Sequence, residues 1–235
     1  MPADEFAAVI VEPIQGEGGY VVPPKEFLPR LKKICENQNA LLVMDEVQTG
    51  FARTGKMFAI QHWDVEPDIV VTGKGLSLGM PLGGVTGKAK IMASPPPASL
   101  GGTYGGNPVC CAGAIESIKM TKKLLPNTKM IHKVEKKRLT EWKEKYEVVG
   151  DVRGIGAMMG MELVKTKAGK EPATELARAV QLNCFKKGLY ILTAGAYGNV
   201  VRLHPPLTID QKLLNKGLDI LESALAEESK KAGLV

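Results

Sequence analysis

The chain has 235 residues, 44% of them hydrophobic and 24% charged, with a formal net charge of +6. That apolar content supports a packed core and excludes a disordered chain, and no apolar run nears the roughly 18 residues of a membrane helix. Four cysteines without C-x-x-C spacing and three histidines argue against a metal site and fit the reduced thiols of a cytoplasmic protein.

The length allows one large domain or two small ones. Residues 6–11 form an apolar run ended by Glu12-Pro13, and read as a strand. Pro23-Pro24 precede a predicted helix over 25–37, in which Phe27, Leu28, Leu31, Ile34 and Cys35 recur at helical spacing and should face a sheet. Residues 41–44 and 69–71 are continuous apolar runs. Strand, helix and strand make a βαβ unit, and all-apolar strands predict a parallel sheet buried on both faces. Residues 83–86 are a further short strand, and 93–98 a proline-rich loop tip.

Asn107-Pro108 pairs an N-cap with a first-turn proline, so a helix should start there and end near Leu125, before Pro126. A second helix follows over 127–146. Basic residues concentrate in 119–145, but Glu135, Glu141 and Glu144 interleave with them. This is the pattern of a solvated helical face, so no nucleic-acid partner is expected. Residues 148–164 read as two strands around Gly154 and Gly156, which look like backbone constraints. A helix over 172–187 stops at Gly188, short strands cover 190–193 and 200–203, and Thr208 caps a last helix to about 228. Its apolar set is Ile209, Leu213, Leu214, Leu218, Ile220, Leu221 and Leu225.

Three stretches carry chemistry. The run 69–71 ends in Thr72-Gly73-Lys74-Gly75, a lysine between glycines that let the backbone turn sharply. At the end of a buried strand such a lysine is expected to be partly desolvated and nucleophilic. The run 41–44 ends in Asp45, and Ser99-Leu100-Gly101-Gly102-Thr103-Tyr104-Gly105-Gly106 is a glycine-rich loop centred on a hydroxyl. An amine for an aldehyde, an anion for a pyridine nitrogen and a loop for a phosphate together suit pyridoxal 5'-phosphate.

Four segments stand in order: Glu12-Pro13-Ile14-Gln15-Gly16-Glu17-Gly18-Gly19; Asp45-Glu46-Val47-Gln48-Thr49-Gly50-Phe51-Ala52-Arg53-Thr54-Gly55; the Lys74 segment through Pro81-Leu82-Gly83-Gly84; and Gly102-Thr103-Tyr104-Gly105-Gly106-Asn107-Pro108. Together they resemble the class III aminotransferases, the 4-aminobutyrate and ornithine aminotransferase group, in the C-terminal part of that family. The resemblance implies an α/β fold. Residues 1–125 would be the C-terminal portion of a fold-type I cofactor-binding large domain, mostly parallel sheet with helices. Residues 126–235 would be a smaller C-terminal α/β domain.

It also implies roles. Lys74 is the Schiff-base lysine and proton carrier, and Asp45 partners the pyridine nitrogen. Val47 packs on one face of the ring and Gln48 bonds near its phenolic oxygen. Thr103 is the phosphate hydroxyl, reaching the cofactor of the other subunit, which implies a homodimer with shared sites. Arg202 lies in an apolar strand, where an unpaired arginine is expensive, and its planar fork suits a substrate carboxylate. By resemblance Glu17 pairs with it as a switch, holding it while an ω-amino acid reacts and releasing it for 2-oxoglutarate or glutamate. Glu46 is read as structural, Glu12 as ordering its loop, and Arg53, His62, His132 and His204 as non-catalytic.

Family members are almost twice this long. The chain opens Met1-Pro2-Ala3-Asp4-Glu5 and enters its first strand at Phe6, so it is expected to be a fragment, its N-terminal half lost or supplied by a second polypeptide. The implied function is amino transfer from a 4-aminobutyrate-like donor to 2-oxoglutarate. The alternatives are a racemase or epimerase of the same family, and an inactive folded fragment serving as an interaction module.

Overall fold

The computed structural model describes residues 5–77 and 79–234. Met1, Pro2, Ala3 and Asp4 of the expected opening lie outside the described residues. The chain divides into two compact units. One takes the residues up to Ile14 together with Pro23–Leu125, the other Gln15–Val22 together with the residues from Pro126 onward.

The first unit contains β1 (Ala8–Val11), α1 (Phe27–Asn37), β2 (Leu41–Asp45), β3 (Ile69–Thr72), β4 (Gly84–Gly87), the one-turn α2 (Ala89–Met92) and the start of α3 (Pro108–Lys145). Its sheet runs β1-β2-β3-β4. The first three strands are parallel and β4 returns antiparallel to β3. Long connections between the apolar runs permit parallel pairing, because each brings the chain back to the same end of the sheet.

The expected burial on both faces holds for β2 alone. Leu42, Val43 and Met44 are buried, whereas Ile10 of β1 is 71% exposed and Val85 of β4 is 56% exposed. β1 and β4 are the sheet's edges and lie beyond the layers that cover β2. Helix α1 also buries less than its apolar set promised. Leu28 and Cys35, two turns apart, are fully buried, while Phe27 and Ile34 are exposed. The latter two sit one residue earlier, about 100° around the helix, and miss the contact.

Asp68, just before β3, ties this unit together. Its Oδ2 accepts from the Leu42 N–H and Lys32 Nζ, both at 2.9 Å, and its Oδ1 from Lys88 Nζ at 2.8 Å. Burial alone would raise its carboxyl, but these three donors outweigh burial and bring it down to about 2.

Asn107 caps α3 as expected, its side-chain oxygen accepting from the N–H groups of Val109 (3.0 Å) and Cys110 (3.3 Å). The helix does not end at Pro126, however, but runs through it to Lys145 as one element. An interior proline costs about 3 kcal/mol. Ile131, Leu139 and Trp142 are all buried downstream of it, and each large apolar side chain removed from water gives about 1.5–3 kcal/mol. Helix on the far side is therefore held by its packing. Glu135, expected on a solvated face, is fully buried here.

The second unit contains the rest of α3, β5 (Val149–Gly154), β6 (Met159–Leu163), α4 (Thr174–Lys186), β7 (Leu192–Ala194), β8 (Val200–Leu203) and α5 (Gln211–Lys231). Its sheet, β5-β6-β8-β7, is antiparallel throughout. Met161, Val201, Val180, Leu221 and Trp142 share its core. Gly154 turns the β5–β6 hairpin at φ +135°, where a Cβ would stand 2.1 Å from the Met158 carbonyl oxygen. Helix α5 is capped by Asp210 rather than Thr208. The Asp210 Oδ1 accepts from the Leu213 N–H at 2.7 Å, since the cap must immediately precede Gln211. Leu213, in the expected apolar set, is 55% exposed. Among the described residues no helix is long and apolar enough to cross a membrane.

Candidate active site

Asp45 is the last residue of β2 and pairs with Val71 of β3. Its Oδ1 accepts from the Val47 N–H at 3.0 Å, which turns the carboxylate back at the strand's end. Lys74 follows β3 by two residues and opens a short 3-10 turn, Lys74–Ser77. Its φ of +42° lies in the left-handed region, which costs a non-glycine residue about 1 kcal/mol or more. Strain of this kind persists where the surroundings over-determine it.

Here they do. Ser117 Oγ donates to the Gly75 carbonyl and Ser77 Oγ to the Cys110 carbonyl, both at 2.6 Å, so α3 braces the turn. A Cβ on Gly73 would lie 3.3 Å from Val47 Cγ1, so Val47 packs directly on the backbone before Lys74. Because β2 and β3 are parallel neighbours, Asp45, Val47 and Lys74 leave the sheet at its carboxyl end, where open α/β sheets take their ligands. The lysine is exposed rather than desolvated, since the turn carries it past the strand.

Gln48 sits half-buried in the turn after Val47. Thr103 does not join this group. Residues 101–109 are all exposed, and among the described residues no hydrogen bond links Thr103 to Asp45, Val47 or Lys74. The loop does lead into the part of α3 that braces the lysine turn. Glu46 is structural. It is fully buried, accepts from Thr49 Oγ1 and from the N–H groups of Ala59 (3.0 Å) and Ile60 (2.7 Å), and burial pushes its carboxyl up.

In the second unit, Arg202 Nη1 donates to Glu17 Oε1 at 2.6 Å. Arg202 stands on β8 between β6 and β7, opposite Gly160 and Leu192. Its side chain is 10% exposed and that of Glu17 74%. A nearly buried guanidinium held by an exposed carboxylate suits exchange of that carboxylate for another.

The sequence reading passed over Arg153, whose Nε donates to the Gly19 carbonyl at 2.8 Å in the loop that carries Glu17. The signal was available: it too is an arginine in a strand, between Val152 and Gly154. The histidines are hydrogen-bonded parts of the scaffold. His62 Nε2 lies 3.1 Å from the Thr54 carbonyl, His132 Nδ1 3.1 Å from the Gly156 carbonyl, and His204 Nδ1 2.9 Å from the Tyr20 hydroxyl.

For the cofactor that the resemblance implies, the residues fit at the aldehyde and ring end. An amine and a carboxylate leave neighbouring strand ends together, with the Val47 side chain packed on the backbone just before the lysine. At the phosphate end the fit rests on the exposed Thr103 loop.

A family profile described as aminotransferase class-III matches residues 1–225. A 4-aminobutyrate aminotransferase of Mycobacterium leprae is 47% identical over 227 residues, covering 96% of this chain and 51% of that protein. A leucine/methionine racemase of Thermococcus litoralis is 44% identical over 227 residues, again covering 96% and 51%. Among solved structures, an amine transaminase from an uncultivated Pseudomonas species, in its PLP-bound form, matches with a TM-score of 0.88 at 33% identity. That match covers 96% of this chain and 53% of the other. The chain thus spans about half the length of the relatives it matches.

Proposed function

The chain belongs to the class-III aminotransferases, and from that membership we propose that it works with pyridoxal 5'-phosphate, moving an amino group from an ω-amino acid of the 4-aminobutyrate kind to 2-oxoglutarate. The cofactor, when bound, supplies an aldehyde and a protonated ring that takes up an electron pair from the substrate carbon. Lys74 Nζ would hold that aldehyde and, as a free amine, would carry the proton to and from the substrate carbon. The Asp45 oxygen not engaged by Val47 keeps the pyridine nitrogen protonated. Val47 covers one face of the ring, and Gln48 bonds near its phenolic oxygen.

Thr103 contributes its hydroxyl to the phosphate bound by the other subunit of a homodimer. Arg202 binds the α-carboxylate of 2-oxoglutarate or glutamate, and Glu17 occupies Arg202 while the donor reacts. In this reading residues 1–125 form the C-terminal portion of the cofactor-binding domain and residues 126–235 the small domain. The free cysteines support a cytoplasmic location.

The observation that carries the reading is the departure of Asp45 and Lys74 from the same end of two paired parallel strands. Because the relatives are about twice as long, the test uses the chain alone and mixed with a polypeptide covering the rest of their length. Adding pyridoxal phosphate should give a lysine-bound absorbance band and, after borohydride, a mass increase on the Lys74 peptide. Lys74→Ala should abolish both. A missing band in both preparations would overturn the proposal. The racemase match supports a second reading, which amino-group loss separates: dependence on added 2-oxoglutarate is expected for transfer, and inversion without it for a racemase.

A further inference from the structure

We propose that Arg153 is a positioning residue for the Glu17–Arg202 pair. It does not meet the substrate but fixes the backbone that carries Glu17, and so sets how firmly Arg202 is withheld from a substrate carboxylate. The proposal deepens the reading of Arg202 given above and rests on it.

Glu17 lies in Gln15–Val22, a segment that groups with the second unit. Besides the Glu17–Arg202 bond itself, other hydrogen bonds fasten it there. Arg153 Nε donates to the Gly19 carbonyl at 2.8 Å, the Gly195 N–H donates to the Glu17 carbonyl at 2.9 Å, and the Tyr20 hydroxyl lies 2.9 Å from His204 Nδ1. The fit is tight. Gly19 has φ +103°, and a Cβ there would come within 3.0 Å of Val200 Cγ2 and 3.1 Å of Arg153 Nη2.

The charge of Arg153 is already committed, because its Nη1 is paired with Asp151 of β5 and Glu162 of β6. It therefore has geometry rather than charge to offer. A guanidinium is planar and rigid, so Nη1 held by two strands fixes where Nε points. The strands' positions are passed in this way to the Gly19 carbonyl, two residues from Glu17.

With the Glu17 backbone fixed, its carboxylate leaves Arg202 by side-chain rotation. Arg202 then answers to two competing carboxylates, one tethered and one free, and the strength of the tethered one depends on how closely it is held. Loosening the segment dilutes Glu17 around Arg202 and frees the guanidinium.

The test follows phenylglyoxal modification of the Arg202 peptide by mass spectrometry, in the full chain, with thermal melts as the folding control. Glu17→Gln should speed modification about tenfold, the scale of one charge-assisted hydrogen bond. Arg153→Lys keeps the charge but loses the fork, and should speed it about threefold. Tyr20→Phe removes a second fastening and should act in the same direction, which keeps the proposal testable if Arg153→Lys does not fold.

In the Glu17→Gln background neither change should add anything, a result that general loosening of the fold would not give. Folded variants with no acceleration, or with acceleration undiminished in that background, would overturn the proposal. Glutarate should protect Arg202 throughout. Acceleration without glutarate protection would uphold the positioning of Glu17 and sink the substrate-carboxylate reading instead.

Discussion

Three donors converge on Asp68, and the consequence is a dependence on acid. Its carboxyl is held at about 2 in the folded chain, against about 3.9 for an ordinary aspartate. The folded state thus binds fewer protons than the unfolded one between those values. Stability from Asp68 is fully present above about pH 4 and lost as pH falls towards 2. The shift is worth about 2 kcal/mol for this nearly buried group. Asp68→Asn should lower stability at neutral pH and flatten that acid limb, as read by circular dichroism melts at stepped pH. An unchanged limb would show that the lysines do not hold the carboxylate. Glu46 runs the other way. Burial raises it, so its contribution is greatest in acid and declines as pH rises through its folded value. Glu46 was read as structural from its place after Asp45, but the Asp68 role was not visible in the sequence. Lys32 and Lys88 stand 36 and 20 residues from Asp68, and Pro67-Asp68 alone reads as a turn before a strand.

At the scale of elements, local rules succeeded where nothing opposed them. Asn107-Pro108 began a helix because the cap and the fixed φ of proline agree. The apolar runs 41–44 and 69–71 became parallel strands, and Asp45 and Lys74 stand at or just past their carboxyl ends. Pro126 shows the limit. The rule that a proline ends a helix was outweighed by side chains buried on the far side, information that lies in the packing. Pro126→Ala should therefore restore an N–H to the helix interior and raise stability by about 1–3 kcal/mol, measured by the urea midpoint. A drop would mean that α3 needs the proline's shape. The cap of α5 failed for a smaller reason. Thr208 and Asp210 are both good caps two residues apart, and only the start of the helix decides between them.

At the scale of the whole molecule, the family and the strand-end amine and carboxylate were legible because each sits in short stretches whose pattern states its surroundings, whereas the Glu17–Arg202 pair, 185 residues apart, came only from the resemblance. Burial was not legible. An apolar run looks the same whether or not a neighbour covers it, and β1 read as a core strand although Ile10 is largely exposed. Amide hydrogen exchange should report this difference. The amides of β6 and β8, which are flanked on both sides, should exchange about a hundredfold more slowly than those of β1. Equal protection would mean that another chain covers the β1 edge in solution.

The segment Gln15–Val22 has a practical consequence for anyone dissecting or grafting this protein. A polypeptide beginning at Pro126 would lose Tyr20, which is buried and has its Cβ beside Gly160, and would strip carbonyl partners from Arg153 and from the Gly195 N–H. A swap of everything after Leu125 would transplant a body with a tooth pulled. A working chimera has to carry both pieces from the same parent, the short one stitched in far upstream of the long one.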